Sequence, residues 1–132
     1  MIRGLVLIPI LILCMWAQIV LLFPICGEAA TARAARDTSE QKRAVSASVA
    51  YIRANALQPP IVSVSGGISL TVHVEKDWFS VSNQLKTAFA DRINDLALVG
   101  NGGIAIPIEI LVGGRRVAVS VYTGGVQSMR VL

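Results

Sequence analysis

The hydrophobic positions of this chain follow three patterns, and each predicts a different element. Residues 5–25, LVLIPILILCMWAQIVLLFPI, carry no charge and one strongly polar side chain, Gln18. As a helix this run measures about 31 Å, close to the thickness of a hydrocarbon core, and predicts a membrane segment marked by Leu5, Pro9, Trp16, Gln18, Pro24 and Ile25. Pro9 and Pro24 kink such a helix without abolishing it. Residues 29–57 are nearly all helix formers, and Val45, Val49, Ile52 and Ala56 share one face. Glu40 lies three residues after Asp37, a capping-box spacing for a fresh helix start. Pro59-Pro60 ends the stretch.

The pattern then changes to period two. Ile61-Val-Ser-Val-Ser65 and the alternating Ile68, Leu70, Val72, Val74 are joined by Gly66-Gly67 and predict a β-hairpin. Residues 77–99 return to helical spacing, with Leu85, Phe89, Ile93 and Leu96 on one face. Lys86, Asp91, Arg92, Asn94 and Asp95 are expected on the opposite, polar face. Ser80 or Ser82 is the expected N-cap, and Gly100-Asn-Gly-Gly103 the stop. A second hairpin runs over 104–112 and 115–122 through Gly113-Gly114, with Val117, Val119 and Val121 alternating. Pro107 places its first strand at an edge, or turns the missing N–H to solvent.

The elements predict an α+β protein. An N-terminal transmembrane helix is extended by an amphipathic helix, and then comes a small ββαββ domain. Its mainly antiparallel four-stranded sheet carries one packed helix. The expected divisions are an anchor over 1–27, an alanine-rich helical stalk over 28–58, the domain over 59–125 and a tail over 126–132. Leu70, Val72, Leu85, Phe89, Ile93, Leu96, Val119 and Val121 are the expected core.

Composition narrows the function. The chain has 132 residues and a net charge of +4. Its basic residues are scattered, without interleaved aromatics, which argues against nucleic acid as a partner. Arg33, Arg36, Lys42 and Arg43 lie just past the apolar run, where anionic lipid headgroups would meet them. Cys14 and Cys26 stand about 18 Å apart on one helix and cannot pair with each other. A cleaved signal peptide is the rival reading, with Ala30-Thr31-Ala32 as a cleavage site. Its apolar region would be about 7–15 residues, so the length of this run favours a retained anchor.

Candidate chemistry is sparse. His73 is the only histidine, too few for a zinc site or, with no G-x-S-x-G turn, for a serine triad. The carboxylates Glu75, Asp77, Asp91, Asp95 and Glu109 form no recognised pattern. Gly100-Asn-Gly-Gly103 follows a helix, whereas a phosphate loop opens one. No catalytic, metal or cofactor site is expected. The expected partners are membrane lipid and proteins that pack against the domain, a second copy of the chain among them.

Arg3-Gly4, the Leu-Val-Leu-Ile-Pro9 element, the leucine-rich span and Ala34-Ala35-Arg36 resemble the TadE/TadG-like pilus-assembly family over the N-terminal third. The resemblance implies a single-pass cell-membrane protein of the bacterial envelope, like a minor pilin or pseudopilin. It would act by packing against other envelope or pilus-assembly proteins, with its C-terminal domain outside the cytoplasm. An alternative starts from the domain. The strand, helix, glycine stop and strand over 68–112 resemble the alkaline-shock-protein and membrane-anchor family of Gram-positive bacteria. That resemblance implies a cytoplasmic interaction domain, the side that the positive-inside count also prefers.

Overall fold

The computed structural model describes residues 30–55 and 60–132. The 5–25 run lies outside them, and so does the expected membrane helix. Among the described residues no helix is long and apolar enough to cross a membrane.

The described chain is α+β with a mixed sheet and two helices. In order it forms β1 (Ala30–Thr31), β2 (Arg33–Ala34), α1 (Thr38–Asn55), β3 (Ile61–Ser65) and β4 (Leu70–Val74). A 3-10 turn (Lys76–Ser80) leads to α2 (Asn83–Asn101), followed by β5 (Ile104–Ala105), β6 (Ile108–Val112), β7 (Arg115–Thr123) and β8 (Val126–Val131). Six strands form one sheet in the order β1-β8-β7-β6-β4-β3, and β2 pairs with β5 separately. The β4–β6 pair is parallel and the other pairs of the large sheet are antiparallel. A parallel pair needs a crossover, and α2 provides it.

The two predicted hairpins and the helix between them are present, with three changes in extent. The sheet has six strands rather than four. Residues 126–131, expected as a tail, form β8, because Gly124 and Gly125 take φ of 59° and 80° and turn the chain back onto β7. The 28–58 stalk is not one helix. Ala30, Thr31, Arg33 and Ala34 are in strands, and the described helix starts at Thr38. Asp37 there accepts a hydrogen bond from the Glu40 N–H at 2.8 Å. Helix α1 is docked, with Val45 and Ile52 fully buried beside α2.

Glycine permits the close approach of the two helices. Gly100 lies inside α2, and a Cβ there would come within 2.5 Å of the Tyr51 Cβ. The helix stops two residues later, at Gly102, whose φ of 79° is left-handed. Ser82 caps the other end, its hydroxyl accepting from the Leu85 N–H.

One continuous core lies between the helices and one face of the sheet. Leu70, Val72, Ile108, Ile110, Phe89, Ile93 and Leu96 are buried in it, and Leu85 is partly buried at its edge. Trp78 meets Phe89 edge-on, with ring centroids 6.0 Å apart. Val119 and Val121, expected in this core, are not part of it. The pairing of β6 with β7 skips a residue: Leu111 faces Arg116, but Ile110 faces Ala118. Val117 is the extra residue of a β-bulge, and the bulge reverses which face each later residue takes. Val117 and Ala118 are buried, Val119 is half-buried and Val121 is exposed on the opposite face. Of the two alternatives for Pro107, the edge strand is not found. β6 lies inside the sheet, between β4 and β7, and begins one residue after Pro107.

Candidate functional site: the chain entry and the open face of the sheet

The described chain enters the domain at one edge of the sheet. Ala30 pairs with Gln127 and Thr31 with Val126. The Ala32 N–H then donates to the Gly125 carbonyl at 2.9 Å, and the Arg33 N–H to the Gly103 carbonyl at 2.9 Å. These bonds fasten the segment to the turn after β7 and to the end of α2. From Ile25 to Ala30 the chain can span at most about 17 Å. Anything held at residue 25 is therefore close to the β1–β8 edge.

Glu40 organises the start of α1. Its carboxylate accepts from the Arg33 guanidinium at 2.6 Å and from the Arg36 backbone N–H at 3.0 Å. These two donors hold its pKa down to about 2. Arg33 is thus committed to an ion pair, while Arg36, Lys42 and Arg43 have exposed residues around the same helix end. Of the Ala34-Ala35-Arg36 element, Ala34 sits in β2 and is exposed, Ala35 is half-buried and Arg36 is exposed.

Among the described residues, the helices cover one face of the sheet and leave the other open. The strand registers set its side chains in rows. Ser65, Thr71, Glu109, Val119 and Arg130 stand side by side across β3, β4, β6, β7 and β8. The next row holds Ser63, His73, Leu111 and Arg116. On the other side, Val121 stands beside Ser128, and Thr123 beside Val126. Glu109 accepts from the Thr71 hydroxyl at 3.1 Å and from Arg116 at 3.2 Å. A hollow of about 240 Å³ beside it is lined by Ser69, Pro107, Glu109, Arg116, Val119 and Ser120. Val121 and Val126 are 41% and 38% exposed, large for valines on a sheet face. Among the described residues Arg130 has no ion-pair partner.

Other polar groups of the domain serve its structure. Gln127, fully buried, donates to Asn94 at 2.6 Å, and its side-chain carbonyl oxygen accepts from the Ile106 N–H at 2.9 Å. The Ser120 hydroxyl accepts from the Ile108 N–H at 2.8 Å. Together they satisfy a stretch of backbone that leaves the sheet around Pro107. The polar face expected for α2 is also covered: Asp91, Arg92 and Asn94 are buried and Asp95 is half-buried. Burial raises the Asp91 and Asp95 carboxyls, with the charge of Asp95 adding to the effect on Asp91. Burial lowers the Arg92 guanidinium to about 10. His73 is half-buried on the open face, and among the described residues no group of three His, Cys, Asp or Glu side chains could hold a metal ion.

Sequence reasoning missed Gln127, Ser120 and the outward-facing ridge of half-buried Val119 and exposed Val121. The one signal for the ridge was Val117 adjoining Ala118, which a bulge can bury together. No family model, curated protein or solved structure matches this chain.

Proposed function

We propose that this protein is a non-enzymatic, single-pass membrane protein of the bacterial envelope, similar to a TadE-like minor pilin or pilus-assembly component. The 5–25 run anchors it, and the α+β domain works by packing against other proteins. The observation that carries this reading is a 21-residue uncharged run ending five residues before the β1–β8 edge. A span of that length matches a hydrocarbon core. The short connection would hold the domain beside the bilayer, with Arg36, Lys42 and Arg43 within reach of anionic headgroups. The open face supplies apolar and charged side chains in fixed rows, which suits a packing surface.

The test has two parts. Alkaline carbonate should leave the full chain in the membrane fraction; release would overturn the anchor. A reporter active only outside the cytoplasm, fused after Leu132, should be active. Activity restricted to a cytoplasmic reporter would overturn the pilus-type reading and favour a cytoplasmic domain, as in the alkaline-shock anchor proteins.

A further inference from the structure

We propose that the open face of the sheet is a self-complementary interface for a second copy of this chain, related by a two-fold axis that runs along β7 over Val119 and Val121. One row across the sheet carries its charges in a self-matching order. Glu109 on β6 and Arg130 on β8 flank Val119 on β7, one strand to each side. Strands are about 4.8 Å apart, so acid and base stand equally far from the valine. A two-fold axis along β7, lying between two facing sheets, exchanges the two sides. Glu109 then faces Arg130 of the partner subunit, and Arg130 faces Glu109 of the partner subunit. Both ion pairs form at once, as a self-matching interface requires.

The neighbouring row fits the same axis. Leu111 lies on the β6 side, opposite Arg116 in register. On the β8 side the outward position two residues beyond Arg130 is Leu132, which is 65% exposed and whose N–H continues the ladder to Val117. Leu111 therefore meets Leu132 of the partner subunit, apolar against apolar. Val119 and Val121 pack along the axis itself, and Arg116, also on β7, meets Arg116 of the partner subunit there, each held by the Glu109 of its own chain. Arg130, unpaired among the described residues, gains a partner, and Glu109 keeps Thr71 and Arg116.

Across an axis along β7 only β6, β7 and β8 overlap fully with their copies, an area of about 14 Å by 17 Å, or roughly 240 Å². Stable interfaces bury about 800 Å² per partner, so this contact is weak between free molecules. Tethering two copies in one membrane raises their effective concentration to about the millimolar range, where a weak contact is occupied. In that respect the inference rests on the anchored reading above.

The experiment uses the full chain in phosphatidylcholine–phosphatidylglycerol vesicles, with Cys14→Ser and Cys26→Ser. Single cysteines are placed by Val121→Cys on the axis or Ser65→Cys on β3, and a bifunctional thiol reagent of about 8 Å reach is added. Facing sheets lie about 10 Å apart, which brings the two 121 positions within reach, while the two 65 positions lie about 29 Å apart. Dimer yield at 121 should exceed that at 65 at least tenfold. Arg130→Glu should cut it about tenfold, and Glu109→Lys added to Arg130→Glu should restore it, with thermal melts showing that each variant folds. Val119→Cys gives a second axial position should Val121→Cys not fold. Equal yields at 121 and 65, no dimer in an integrated chain, or indifference to Arg130→Glu would overturn the interface. In cell membranes, an adduct from 121 to a different polypeptide would overturn it in favour of another partner. Release by alkaline carbonate overturns the anchor alone, since the same pattern at millimolar chain concentration in solution would still support the interface.

Discussion

The two faces of the sheet use alternate residues of the same strands, and they have opposite fates. On the covered face Leu70, Val72, Ile108 and Ile110 are almost fully buried beneath α1 and α2. On the open face Thr71, His73, Glu109 and Leu111, their chain neighbours, are half-buried, and Val121 is exposed. The covered face is held by close packing, so its side chains are fixed by their neighbours. The open face is set by register and by the bonds of Glu109 to Thr71 and Arg116, and no close packing fixes Val121 there. Within β7 alone, apolar side chains therefore serve stability at Val117 and Ala118 and stay available for contact at Val121.

That contrast can be broken most severely from the covered side. Phe89→Asp places a charge in the core, with an expected loss of more than about 4 kcal/mol, enough to unfold a marginal domain. Val121→Asp, the same charge on the open face, should cost less than about 0.5 kcal/mol. Chemical denaturation of both variants checks the pair, and equal losses would show that the two faces are misassigned. Gly100→Ala should cost about 1–3 kcal/mol, because the new methyl overlaps Tyr51 and forces the helices apart. Gly67→Ala, where the added methyl meets nothing within 4 Å, is the control. Gln127→Leu leaves the Ile106 N–H and the Asn94 carbonyl oxygen buried without partners, for a loss of about 1–3 kcal/mol, read from the denaturation midpoint.

The smallest effect concerns pH. The Asp91 and Asp95 carboxyls are raised in the folded state, chiefly by burial. The folded state then binds more protons than the unfolded state between the ordinary carboxylate pKa, near 4, and the raised value. These two groups make stability fall as pH rises through that window. Asp91→Asn should flatten this fall and raise the melting temperature slightly at neutral pH. Glu40 has the opposite sign. Its pKa is lowered to about 2, so what it contributes is present above about 4.5 and is lost as pH falls toward 2. Melting temperatures of the wild type, Asp91→Asn and Glu40→Gln between pH 2 and 8 would separate the two.

Much of the fold could be read from local pattern. Leu85, Phe89, Ile93 and Leu96 mark a helix face at any reading of the chain, and Gly113-Gly114 between alternating runs marks a hairpin. Both glycines have positive φ, as a two-residue turn between twisted strands requires. The edges of the fold were harder. Residues 30–34 have helix propensity, yet they pair with β8 and β5, partners about 70 to 100 residues away, and those pairings override local preference. The burial of Asp91 and Arg92 broke the amphipathic rule for the same reason: what lies over a helix is decided elsewhere in the chain.

By itself the sequence determined the periodicities, the turns, the uncharged 5–25 run and the scarcity of catalytic residue types, because each depends on residues close together in the chain. Only the tertiary structure decided that β8 joins the sheet, that β6 is interior, and that Gln127 supports the backbone around Pro107. It also decided that one extra residue at Val117 turns Val119 and Val121 outward. A bulge is a mismatch between two strands, and the adjoining Val117 and Ala118 of β7 permit it without fixing it. The row of Glu109, Val119 and Arg130 exists for the same reason: register, not sequence, makes these three residues neighbours.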